Sequence, residues 1–136
     1  MTPTLEFPEG GKVLGIGCDL AEVGRIKDAH ERNGQAFLDK VFTPAEQKYC
    51  LDKANPYPSL AARWAAKEAV SKAFTTGIGA EVGLLTVEIA KGGNGQPVAN
   101  LSGIALVLLG RFGGKEVKVS LSHTQELAMA VAVIIG

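Results

Sequence analysis

The segment that most constrains this chain is SLAARWAAKEAVSKAFTTG, which runs from Ser59 to Gly77 with no helix breaker inside it. At about 100° per residue, Ala62, Ala65, Ala66, Ala69, Val70 and Ala73 fall in one arc. So narrow a small-residue face lets another backbone approach closely. The opposite half carries Arg63, Lys67, Glu68, Ser71 and Lys72, three cations with one carboxylate and one hydroxyl. Two readings fit that half: a solvated face with a favourably ordered Glu68/Lys72 pair, or an anion site.

Composition narrows the classes. The 136 residues are 46% hydrophobic, enough for one compact domain spanning residues 1–136, with residues 1–11 as an N-terminal extension. Lys plus Arg (14) equal Asp plus Glu (14), so there is no net field to draw nucleic acid or an acidic membrane. No run approaches the roughly 18 apolar residues of a membrane span, and MTPTLEFPEGG lacks the basic and apolar regions of a leader, which predicts a cytoplasmic protein. Cys18 and Cys50 lack the paired spacing of a zinc site and are expected as free thiols.

Around the long helix, KVLGIGCDL reads as a buried strand ending at Asp19, and AEVGRIKDAHERNG as an amphipathic helix stopped at Asn33-Gly34. Thr43, Pro44 and Glu46 predict the capped start of a second helix, with Tyr57-Pro58 separating it from the third. LLTVEIA and PVANL flank the turn KGGNGQP as a hairpin, and SGIALVLLGRFGG is a helix with Ser102 as its cap. KEVKVSLSHTQELAMAVAVIIG closes the chain with two strands around the polar turn SHTQE, which holds His123. Strand, three helices, hairpin, helix and hairpin predict an α+β domain with helices packed on a largely antiparallel sheet.

Chemistry can be assembled from the charged half of the helix and the strand-end Asp19. Mg²⁺ is commonly held by one or two carboxylates with substrate phosphates and water completing its shell, and Asp19 and Glu68 could supply that pair, though sequence does not fix their proximity. Neighbouring lysine and arginine would hold phosphate oxygens. GIG at residues 15–17 lacks the spacing of a dinucleotide fingerprint, no GxxxxGK[ST] motif occurs, and no nucleophile elbow accompanies His123. Trp64 and Phe74 suit the core or the flanks of an adenine ring.

In order along residues 13–135, GIGCDLAEVGRI, FTPAEQ, RWAAKEAVSKAFTTGIG, NGQP and SLSHTQELAMAVAVI resemble the small, prokaryotic type of 4′-phosphopantetheinyl transferase, the holo-[acyl-carrier-protein] synthases. The resemblance implies the 4′-phosphopantetheinyl transferase fold and an enzyme dependent on Mg²⁺. Its reaction would move the phosphopantetheine arm of coenzyme A onto a serine of acyl carrier protein, in support of fatty acid biosynthesis, releasing adenosine 3′,5′-bisphosphate. By the same resemblance Asp19 and Glu68 are metal ligands and, with Lys72, the catalytic set. Arg63, Lys67, Ser71, Gly77, Gly79, Pro97 and His123 are coenzyme contacts, and Arg25 and Arg32 on the first helix are carrier contacts. It implies a homotrimer with active sites between subunits. A non-catalytic coenzyme A or nucleotide-binding module of the same fold is the alternative.

Overall fold

The chain alternates between two periodicities, and its architecture follows from which residues each one turns inward. The computed structural model describes residues 11–75 and 83–136. Its elements are β1 (Val13–Glu22), α1 (Val23–Asn33), α2 (Gln35–Val41), α3 (Pro44–Leu51), α4 (Tyr57–Ala73), a 3-10 turn at Leu84–Thr86, β2 (Val87–Lys91), β3 (Pro97–Leu101), α5 (Gly103–Arg111), β4 (Glu116–His123) and β5 (Leu127–Ile135). β1, β5 and β4 form an antiparallel sheet in that order, and β2 and β3 form a separate antiparallel hairpin. Helices on antiparallel sheets are the α+β arrangement expected.

α4 lies across the three-stranded sheet, and small residues on both sides set how close it comes. Ala128, Ala130, Ala132 and Ile134 alternate along β5 and are buried, as are Ala62, Ala65, Ala66 and Ala69 of α4. On β1, a Cβ added at Gly17 would collide with the carbonyl oxygen of Ala69, and one at Gly15 with that of Ala73. The alanine arc therefore does what its size predicts: strand and helix backbones are in contact.

Several boundaries move. β1 continues past Asp19 to Glu22, so Asp19 is a mid-strand residue opposite Ala130 rather than a strand end. Strand alternation puts it on the same face as Gly17 and Ala21, the face toward α4. A further helix, α2, occupies QAFLDKV, where Leu38 and Val41 are buried one turn apart. α4 begins at Tyr57, before the expected Ser59, because Pro58 falls in the first turn, where its missing N–H costs no bond. It ends before the expected Gly77 stop: Phe74 is the C-cap and Thr75 takes φ 64°, its N–H donating to Lys72 O at 2.9 Å. His123 is the last residue of β4, not part of a turn. The capping box at Thr43 and Glu46 forms as expected.

The division of α4 into an alanine face and a charged face is also corrected. Arg63, Lys67 and Ser71 are buried with the alanines, Trp64 and Glu68 are half-buried, and Lys72 is exposed. The hairpin β2–β3 and helix α3 pack against the flank of α4 that holds Arg63 and Lys67, so a stripe that looks solvated on a helical wheel is interior.

Candidate active site

β1 and α4 bring the acidic centre together. Asp19 projects from the strand toward the helix, and Lys72 Nζ donates to Asp19 Oδ1 at 2.8 Å. The Asp19 side chain keeps 15% of its exposure and that of Lys72 keeps 51%, so the pair sits at the mouth of the site. That hydrogen bond and the charge of Asp19 raise the Lys72 pKa, which leaves the ammonium protonated at neutral pH. Glu68 is one turn back on α4. Burial raises its carboxyl pKa, the Asp19 charge raises it further, and Lys72 opposes both. Two carboxylates and a lysine from elements 53 residues apart in sequence therefore share one electrostatic environment.

These carboxylates border a cavity of 370 Å³ whose other walls include Arg25, Ile26, Phe37 and Trp64. Its floor is apolar and its rim charged. Arg25 thus joins the acidic centre, whereas Arg32, also exposed, stands in the last turn of α1 outside that cavity. Phe37 escapes a sequence reading because α2 is too short to show periodicity.

A second concavity, of 220 Å³, gathers Arg63, Pro97 and His123 with Tyr49, Lys53 and Lys91. The Tyr49 ring carries the Arg63 guanidinium carbon 4.3 Å, Lys53 Nζ 4.7 Å and Lys91 Nζ 5.7 Å from its centroid. Arg63 is 7% exposed, one of its terminal nitrogens donates to Ser59 Oγ at 3.0 Å, and its buried Nε has no partner among the described residues. A buried guanidinium with an unspent donor, in a concavity that also holds Lys53 and Lys91, suits an oxyanion such as a phosphate. Tyr49 and Lys53 are four apart on the α3 exit, a spacing visible in the sequence, but their proximity to Lys91 depends on the tertiary fold.

Two expected coenzyme contacts are buried side chains. Lys67 is fully buried, and its ammonium donates to Glu46 Oε1 at 2.7 Å, Leu84 O at 2.7 Å and Val87 O at 2.6 Å, which uses all three of its donors. Burial lowers its pKa and Glu46 opposes the shift. Ser71 is likewise buried and donates to Glu68 O at 2.7 Å. Gly77 and Gly79 lie outside the described residues. Among the described residues no cluster of three or more His, Cys, Asp or Glu side chains could hold a metal by itself. A cation at Asp19 and Glu68 would need substrate oxygens to complete its shell.

Comparisons with known proteins identify the family. The family model of the 4′-phosphopantetheinyl transferase superfamily matches residues 15–132. The holo-[acyl-carrier-protein] synthase of Ruminiclostridium cellulolyticum is 49% identical over 88% of this chain and 90% of its own length. That of Chlamydia muridarum is 44% identical over 89% and 94%. Among solved structures, the Neisseria meningitidis holo-[acyl-carrier-protein] synthase superposes with a TM-score of 0.83 at 31% identity, covering 90% of this chain and 98% of that one. The Helicobacter pylori enzyme, solved in complex with coenzyme A, gives 0.78 at 33%, covering 88% and 98%. Matched over residues 15–132 by the family model and over nearly nine-tenths of its length by these relatives, the chain belongs to the 4′-phosphopantetheinyl transferase superfamily and, within it, to the holo-[acyl-carrier-protein] synthases.

Proposed function

We propose that this chain transfers the 4′-phosphopantetheine arm of coenzyme A to a serine of apo-acyl carrier protein, with Mg²⁺, releasing adenosine 3′,5′-bisphosphate and supplying holo-carrier for fatty acid biosynthesis. The observation that carries the reading is the Asp19, Glu68 and Lys72 cluster: a half-buried carboxylate held against a second one, with a protonated lysine 2.8 Å from the latter. The donor set fits Mg²⁺, which favours carboxylate oxygens and retains sites for phosphate and water. Asp19 and Glu68 would hold the ion, which would offset charge on the coenzyme diphosphate.

The chain's own residues account for the rest. The carrier serine oxygen attacks the phosphorus that bears the pantetheine arm, and the bond from that phosphorus to the oxygen of the leaving bisphosphate breaks. Glu68 takes the serine proton; its raised pKa makes it a stronger base than an ordinary glutamate. Lys72 moves its donors to the phosphoryl oxygens as their charge grows. Arg63, whose Nε has no partner among the described residues, and His123 hold a phosphate of the nucleotide end, and Pro97 borders the base. Arg25, beside the acidic centre, and Arg32 on the same helix meet acidic side chains of the carrier.

The two concavities have no lining residue in common. One coenzyme must serve both, so we assign them to neighbouring copies of the chain in a homotrimer. No helix among the described residues is long and apolar enough to cross a membrane, in keeping with a reaction placed in the cytoplasm. The test is to incubate the protein with apo-acyl carrier protein, coenzyme A and Mg²⁺ and weigh the carrier. A mass gain of one phosphopantetheine arm is expected; coenzyme binding with no mass gain would reduce the protein to a binding module.

A further inference from the structure

Lys67 and Glu46 form a fully buried ion pair, each side chain at 0% exposure. Burying two charges has a desolvation cost that their attraction often fails to recover, and an apolar pair of similar volume is frequently as stable. Stability alone therefore does not account for this pair, whereas its wiring does. The Glu46 carboxylate accepts Thr43 N at 2.8 Å on Oε1 and Ile89 N at 2.9 Å on Oε2. Lys67 donates to Leu84 O and Val87 O as well as to Glu46. Three successive points of the segment entering the hairpin, residues 84, 87 and 89, are thus tied to α3 and α4 through two side chains.

That segment needs such a tie. β2 and β3 are five residues each and form a two-stranded sheet of their own, a unit that is marginal by itself. The hairpin also carries Lys91 and Pro97, which wall the Arg63 concavity. A smaller cavity of 120 Å³ is lined by Glu46, Arg63 and Lys91 together, so the ion pair lies directly behind that wall. Positional errors of about an ångström in a binding wall are enough to lose much of a site's effect.

We infer that the Lys67–Glu46 pair is a positioning device for coenzyme binding, fixing the β2–β3 hairpin so that Lys91 and Pro97 stand at the right distance from Arg63. The inference rests on the coenzyme reading of that concavity. Three variants test it, each assayed for the KM of both substrates, kcat, and amide hydrogen exchange. Glu46→Gln keeps the shape but removes the charge and one of the two oxygens that together accept Thr43 N, Lys67 Nζ and Ile89 N. Glu46→Leu/Lys67→Met replaces the pair by apolar groups of similar size, which keeps the protein folded if the single variant is too unstable.

Both variants should raise the KM for coenzyme A at least tenfold, leave the KM for acyl carrier protein within about threefold of wild type, and speed exchange at Ile89 and its β2 neighbours while β5 stays protected. A folded double variant with a wild-type KM for coenzyme A overturns the inference, as does a parallel rise in both KM values with exchange faster throughout. Arg63→Met separates the inference from its premise. If that variant binds coenzyme A as tightly as wild type, the coenzyme reading of the concavity falls and the positioning role falls with it. If Arg63→Met weakens binding and the pair variants do not, only the positioning role is wrong.

Discussion

At the scale of single residues, Glu68 carries opposed demands from folding and chemistry. Burial, then the Asp19 charge, raises its pKa above the ordinary glutamate value of 4.5. The native protein therefore binds that proton more tightly than the unfolded chain. The sign follows from linkage: the contribution of this group to stability is complete below the ordinary glutamate range and is lost as pH rises through the raised pKa. Once ionised, the carboxylate is a liability to folding that catalysis requires. Glu68→Gln should consequently abolish phosphopantetheine transfer while its thermal midpoint at pH 7 stays equal to or above that of wild type. A variant with near-normal turnover would remove Glu68 from the mechanism. Carboxyl-carbon NMR titration adds a second check: in Asp19→Asn the Glu68 pKa should fall yet stay above 4.5, because burial is the larger cause. A return to the ordinary value would mean that Asp19 alone sets it. The charges of this centre could be read from the sequence, since Asp19, Glu68 and Lys72 are among the ionisable residues of two recognisable motifs. Lys67 could not be placed that way. On a helical wheel it sits with Arg63 and Ser71, and only the packing of α3 and β2 onto that flank turns its ammonium inward.

At the scale of elements, the contact between β1 and α4 sets the geometry of the acidic centre. Gly17 is two residues from Asp19 on the same strand face, and any Cβ there meets the backbone oxygen of Ala69, one residue after Glu68. Backbone cannot yield as a flexible side chain can. Gly17→Ala should therefore push strand from helix, costing about 1–3 kcal/mol by overpacking. The same displacement should lower kcat by well over tenfold, because Asp19 and Glu68 ride on the two elements being separated. Gly24→Ala is the control: a Cβ there meets nothing within 4 Å, so its stability and turnover should match wild type. Denaturant melts and initial rates on both variants decide the matter, and an active, stable Gly17→Ala protein would show that the close approach is dispensable. The sequence announced this contact through the alanine arc and GIG, since small residues on both partners are its physical cause. It announced α2 and the turn at Leu84–Thr86 poorly, since a seven-residue helix and a three-residue turn are shorter than the windows over which periodicity accumulates.

At the scale of the whole molecule, no element among the described residues covers the outer face of the three-stranded sheet. Ile16 is 66% exposed, Leu20 64% and Met129 45%, and register sets Leu20 beside Met129 and Ile16 beside Val133. Contiguous apolar surface of this kind marks an association face. The two concavities, on different flanks of α4, supply the functional reason for association, because a closed ring of copies can set the Asp19–Glu68 centre of one against the Arg63 pocket of the next. Complementation tests this directly. Glu68→Gln and Arg63→Met are each expected to be inactive, every subunit lacking one half of the site. Unfolded together and refolded as mixed assemblies at equal amounts, about a quarter of sites built between subunits would pair an intact Glu68 with an intact Arg63, so about a quarter of wild-type activity should return. If each site were built within one chain, every site would lack one residue or the other and mixing would restore nothing. Ile16→Glu/Met129→Glu completes the argument by charging the outer face. It should sediment as a folded monomer and lose transfer, whereas a monomer that transfers at the wild-type rate would place the whole site within one chain.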